Sequence, residues 1–271
     1  MHYLAKTLIA TTLSASMVGC VSNTTKQGTV GVERKQLLIV SEKEMVAGAT
    51  QAYAQVITEA KDNRKLNTNV ALTQRVRAIA QRLIPQTAVF REDAPSWNWE
   101  VNVLESDELN AWCMPGGKIA FYTGIINQLQ LTDAEIAAIM GHEMAHALRE
   151  HGRERASQQV VQQTGLSLLG AATGMGQMGM DLTALAMNVT LTLPNSRTHE
   201  VESDRMGVEL AARAGYDPYA AISLWQKMDK ATEGGKTPEL LSTHPSHDSR
   251  IADLKKYAKR VEPLYREALG R

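Results

Sequence analysis

His142, Glu143 and His146, in the run IAAIMGHEMAHALREHG, form an H-E-x-x-H set. At 3.6 residues per turn, positions four apart lie on one face of an α-helix, about 6 Å apart along its axis, so both imidazoles can reach one metal ion. The spacing therefore calls for a helix here. Glu143 then flanks the metal without binding it, where it can take a proton from a water whose pKa the metal lowers from near 16 to about 7. A chance occurrence of this pattern is expected on the order of 0.01 times in a chain of this composition.

The neighbouring residues favour the same helix. Thr132 can cap LTDAEIAAIMGHEMAHAL, Glu135 completes a capping box, and Ile136, Ile139, Met140 and Ala147 recur at helical spacing. The predicted helix is mostly buried. Two histidines leave a tetrahedral catalytic site in need of a further protein ligand. A glycine at 149 and a histidine at 152 would supply it within the motif, but the chain has Arg149 and Gly152, and His151 is off by one residue.

The third ligand is expected in SRTHEVESDRMGVELAARAG. Glu200 and Asp204 are four apart, and Gly207, Val208 and Ala211 continue their face with small or apolar groups that allow close packing on another helix. Glu200 is assigned as the ligand. Asp204, one turn deeper, can accept the outer ring N–H of a ligating histidine and fix its tautomer. Glu202, about 200° around the helix from Glu200, is expected to face solvent, and His199 to be merely adjacent. In LLSTHPSHDSRIADLKKY, Pro245 forces His244 into an extended or turn conformation, and Ser246 is expected to cap a helix with Arg250 one turn in. His244 and Arg250 suit donors aimed at a developing oxyanion or, for His244, a mobile ligand at the open metal position; a solvated loop has the same spacing.

Together these stretches resemble the zinc metallopeptidase family of the CaaX prenyl endopeptidases, the HtpX membrane proteases, the mitochondrial Oma-type proteases and the bacterial lipoproteins LoiP, YcaL and BepA, most nearly the lipoprotein branch. The family pattern is H-E-x-x-H, then S-R-x-x-E-x-x-A-D, then T-H-P with R-I six residues after the histidine; this chain reads HEMAH, SRTHEVESD and THPSHDSRI. An upstream N-A-x-x-x-P-G-G segment is matched by NAWCMPGG. The resemblance implies that His142, His146 and Glu200 bind one Zn2+, that Glu143 is the catalytic base, that Asp204 supports a ligand, and that His244 and Arg250 lie near the metal with catalytic roles. Ser203 stands where the family usually has alanine. The likeness runs from about residue 40 to about residue 260.

The expected fold is α+β and mainly helical: a zincin-like metallopeptidase domain with a small antiparallel sheet beside the H-E-x-x-H helix. Helical patterns cover about 42 to 61, 68 to 84, 132 to 151, 196 to 214 and 217 to 231. Pro115, Gly116 and Gly117 form a turn between NAWCM and KIAFY, while Trp97, Trp99, Val101 and Val103 alternate on one face. Such a sheet either covers the helical core or also offers an edge to which an extended substrate can add. GLSLLGAATGMGQMGMDLTALAMN suits a mobile apolar flap and a buried connector equally.

MHYLAKTLIATTLSASMVGC reads as a secretory leader. Met17-Val18-Gly19-Cys20 resembles a lipobox, which implies a signal peptide over 1–19, lipidation of Cys20 with a polar tether over 20–40, and a metallopeptidase domain over 41–271. Without aspartate after Cys20, the resemblance implies an outer-membrane lipoprotein facing the periplasm; a soluble periplasmic protein is the alternative. The 29 basic and 29 acidic side chains balance and offer no field for nucleic acid. Cys113 is left without a partner for an internal disulfide and is assigned no chemistry. The expected activity is hydrolysis of misfolded or misassembled envelope proteins, with the membrane as a partner through Cys20; a client-binding chaperone or adaptor with latent protease activity is the alternative.

Overall fold

The computed structural model describes residues 21–171, 181–233, 238–244 and 249–270, with backbone alone over 163–171. Cys20 and the leader before it, residues 172–180 of the glycine- and methionine-rich segment, and the expected cap at Ser246 lie outside the described residues. In chain order the elements are β1 (Val21–Ser22), β2 (Gln36–Leu37), α1 (Glu42–Asp62), α2 (Val70–Leu83), β3 (Glu100–Leu104), β4 (Ala111–Met114), β5 (Lys118–Tyr122), α3 (Thr123–Gln128) and α4 (Asp133–Leu148). There follow α5 (His151–Ala171), α6 (Leu182–Met187), a π-turn (Asn188–Thr192), α7 (Arg197–Arg213), α8 (Ala220–Glu233), α9 (Glu239–Thr243) and α10 (Arg250–Ala268).

The H-E-x-x-H helix α4 is the axis of the molecule. Thr132 and Glu135 form the expected capping box, each side chain accepting the other's backbone N–H at 2.8 and 3.3 Å. Every residue from Glu135 to Leu148 is buried, because α2, α7, α8 and β4 enclose the helix. Against α7 the approach is limited only by backbone. A Cβ on Gly141 would lie 2.8 Å from the Gly207 carbonyl oxygen, and one on Gly207 would lie 2.7 Å from the His142 nitrogen. The small face predicted for α7 is thus used at full contact.

The sheet is mixed, with order β3-β5-β4. The antiparallel expectation holds for β4 and β5, whose hairpin turns through Gly116 (φ 80°) and Gly117 (φ 82°). It does not hold for β3, which pairs parallel to β5. The reason is the crossing at 105–110, which carries the chain past one strand position that β5 then fills. Side chains alternate between two cores. Val103, Ala111, Cys113, Ile119 and Phe121 join the core around α4, whereas Leu104, Trp112, Met114 and Ala120 join a second one against α1.

Residues 21–37, expected as a tether, are instead a strap fixed to the domain. β1 pairs antiparallel with β2, and between them Val30 and Val32 enter the main core. The Thr29 and Val30 backbone N–H groups each donate to the buried Glu209 carboxylate at 3.0 Å. Arg34 donates to both oxygens of Glu154, at 2.6 and 2.8 Å, and through Nε to Glu202 at 2.8 Å. The strap covers the side of α7 that carries Glu202. That residue is consequently buried, not solvent-facing as its helix phase had suggested. A second correction concerns α10, which begins at Arg250 itself rather than a turn before it, with Arg250 buried and held there by the carboxylates of α7. Among the described residues no helix is long and apolar enough to cross a membrane.

Gly207→Ala tests the helix contact. It forces α4 and α7 apart and is expected to cost about 1–3 kcal/mol, a fall in Tm of roughly 2–12 °C for a domain of this size. A thermal scan showing no change in Tm would mean that the two backbones do not touch.

Candidate metal centre

The close crossing brings a carboxylate of α7 onto two imidazoles of α4. His142 Nε2 lies 3.0 Å from His146 Nε2, and both lie 3.4 Å from Glu200 oxygens. His244, at the end of α9, completes the group. Its Nδ1 is 3.2 Å from His142 Nε2 and 3.0 Å from Glu200 Oε1. All four residues are buried, and one donor atom from each lies within 4.8 Å of the others.

These donors fit a metal ion. Four ligands about 2.0–2.1 Å from a tetrahedral zinc stand roughly 3.3 Å from one another, close to the 3.0–3.4 Å seen here. The electrostatics agree. Burial opposes a charge on His142, yet Glu200 and Asp204 outweigh it and raise that ring to about 10. Burial would likewise raise the Glu200 carboxyl, but the surrounding histidines hold it well below the usual range. The pocket therefore demands positive charge at its focus. A proton on one ring answers that demand only in part, since Glu200 Oε2 accepts no hydrogen bond among the described residues.

The surrounding groups have distinct positions. Asp204 Oδ1 accepts from His142 Nδ1 at 2.9 Å and from Arg250 Nη2 at 2.7 Å. Arg250 Nη2 also lies 3.1 Å from Glu200 Oε2, and its guanidinium covers the Trp225 ring at 3.3 Å. Nη2 thus clamps two carboxylates, while Nε and Nη1 have no hydrogen-bond partner among the described residues. Among the described residues Glu143 Oε1 is buried without a hydrogen-bond partner, 3.5 Å from His244 Nε2, and burial raises its carboxyl above the usual range. The cleft beside it, lined by Cys113, Pro115, His146, Arg155, Asn195 and His244 among others, measures only about 20 Å³. Burial raises the Cys113 thiol well above its ordinary value, in keeping with a packed rather than reactive side chain.

Several contributors were not visible in the sequence. Asn195 donates through its backbone N and its Nδ2 to the Thr243 carbonyl, at 2.8 and 3.1 Å, and so fixes the end of α9 that carries His244. Arg155 in turn donates to Asn195 Oδ1 and to the Val189 carbonyl. His151, set aside for its spacing, lies with Nδ1 2.9 Å from His146 Nδ1. It gets there because Glu150 takes a left-handed conformation (φ 52°) that breaks the helix between α4 and α5. No residue type announces that break, glycine being the usual occupant of such a position.

The fold and the donor set define a metallopeptidase of the H-E-x-x-H kind. A profile of peptidase family M48 matches residues 71–258, and the chain belongs to that family. It is 32% identical over 235 residues to the mitochondrial metalloendopeptidase OMA1 of Bos taurus, covering 82% of this chain and 44% of that protein. The OMA1 metalloendopeptidase of Schizosaccharomyces pombe is 33% identical over 211 residues, covering 77% and 59%. The beta-barrel assembly-enhancing protease of Escherichia coli is 24% identical over 274 residues, covering 96% and 54%. The chain thus spans about half the length of these curated relatives.

Metal binding is measurable as stability. Zinc restored to chelator-treated protein at about a thousand times its Kd is expected to add about 4 kcal/mol, or roughly 8–16 °C in Tm. Glu200→Ala is expected to abolish most of that gain. An undiminished gain in the variant would exclude Glu200 from the ligand set.

Proposed function

We propose that this chain is a zinc endopeptidase of the bacterial cell envelope, closed at rest by His244. The observation that carries the reading is the convergence of His142, His146 and Glu200 on one point, with Glu143 beside it and free to accept a proton. In this reading the three residues hold zinc, and Asp204 keeps the His142 proton on Nδ1 so that Nε2 faces the metal. The chemistry supplied by zinc is Lewis acidity toward water and the scissile carbonyl. Glu143, its carboxyl raised by burial, accepts the proton of the attacking water and passes it to the leaving amine. Arg250 positions both α7 carboxylates.

His244 acts as the latch. Its ring occupies the place a substrate carbonyl needs, and the remaining cleft of about 20 Å³ has room for one water rather than a peptide. Opening requires Thr243 and His244 to move away from Asn195. β4 lies at an edge of its sheet and packs on α4, so an extended segment adds there through main-chain hydrogen bonds. Substrates that offer such segments are unfolded or misassembled proteins. The envelope setting is supported by the lipobox-like Met17-Val18-Gly19-Cys20 run and by similarity to the beta-barrel assembly-enhancing protease. Lipidation at Cys20 would place the enzyme at the outer membrane, facing the periplasm.

Glu143→Gln is expected to keep zinc and lose about 10²- to 10⁴-fold in cleavage of an unfolded protein; equal turnover by the variant would refute hydrolysis at this site. His244→Ala is expected to raise basal cleavage severalfold at unchanged zinc content. A fall in cleavage would show that His244 serves the reaction instead of blocking it.

A further inference from the structure

We propose that His151 is a positioning residue of the metal centre, accepting the outer ring N–H of His146 and linking it to the charge of Glu202. The inference rests on His146 being a metal ligand, as read above. His146 turns Nε2 toward His142 and Glu200 and Nδ1 toward His151, at 2.9 Å. An imidazole that gives its Nε2 lone pair to a cation carries its proton on Nδ1. That N–H must then donate to His151 Nδ1, which can accept only if the His151 proton resides on Nε2. Nε2 lies 2.9 Å from Glu202 Oε2, the acceptor such a proton requires. Both hydrogen bonds run in one direction with one proton per ring, whereas a doubly protonated His151 would oppose two N–H groups at 2.9 Å.

The surroundings fix this ring on every side. The His199 ring stacks on it with centroids 4.2 Å apart and planes 16° apart. Ser203 Oγ lies 3.4 Å from His151 Nδ1. Behind the ring, Glu202 is held by Arg34 Nε at 2.8 Å and Arg149 Nε at 3.3 Å. His151 and Arg149 are fully buried. The two ligating imidazoles are therefore supported alike. His142 is backed by Asp204 and Arg250, and His146 by His151, Glu202 and two arginines, with one additional ring in the path.

The test is zinc affinity by chelator competition, with the visible spectrum of the cobalt-loaded full chain, for wild type, His151→Asn, His151→Gln, His151→Phe and Glu100→Gln. Asparagine places an oxygen near the histidine Nδ1 position and keeps the acceptor for His146; glutamine reaches toward Glu202 and loses it. The expected result is about 10- to 100-fold weaker binding in the Phe and Gln variants, with an altered cobalt spectrum, and recovery of most of that loss in the Asn variant. Glu100→Gln should bind zinc like wild type, although it removes the carboxylate paired with the buried Lys118. Equal affinities across the three His151 variants, or an equal loss in Glu100→Gln, would overturn the proposal. If the Phe variant does not fold, the ranking of Asn over Gln decides it. A wild-type chain that binds no zinc would overturn the metal centre itself and this inference with it.

Discussion

Two helix backbones touch where Gly141 faces Gly207, and that distance decides whether a glutamate on one can meet histidines on the other. Side chains at the crossing would separate the axes by more than the few tenths of an ångström that ligand geometry tolerates. Absence of Cβ atoms at two positions thus does more for the metal centre than any added contact. The rest of the domain holds the crossing shut: α2, α8 and β4 bury the other sides of α4, and α10 backs α7.

α7 also explains why distant segments converge. Glu200, Glu202, Asp204 and Glu209 are all buried on one helix, and a buried carboxylate is costly unless paired. Each finds a cation, and for Glu200, Glu202 and Asp204 it comes from another segment of the chain. Arg250 of α10 serves Asp204 and Glu200, Arg34 and Arg149 serve Glu202, and Arg213 serves Glu209. Beside Glu200, a fully buried carboxylate oxygen is left without a hydrogen bond among the described residues.

What could be read from the sequence followed from local spacing. His142 and His146 are one helical turn apart, Thr132 and Glu135 cap their helix, and Glu200, Asp204 and Gly207 share a face; each relation involves residues within a few positions of one another. The supports were hidden because they are not local. Glu202 appeared solvent-facing since helix phase cannot reveal that Arg34, 168 residues earlier, lies over it. His151 appeared misplaced since the break at Glu150 uses a conformation that glutamate seldom adopts. The parallel pairing of β3 depended on a crossing that alternation within a strand does not encode.

The strap alters the mechanics of anchoring. Val21 and Ser22 are already paired with Leu37 and Gln36, so with a lipid on Cys20, as proposed, only one peptide unit of about 3.8 Å separates the anchor from the folded body. A flexible leader of ten residues would let the catalytic body wander by roughly 17 Å. An enzyme moored this tightly keeps its cleft at a nearly constant height and tilt above the bilayer. Under that proposal reach would become a selection rule: a chain would be cut only where an extended stretch passes through that thin layer, however many other stretches it exposes elsewhere.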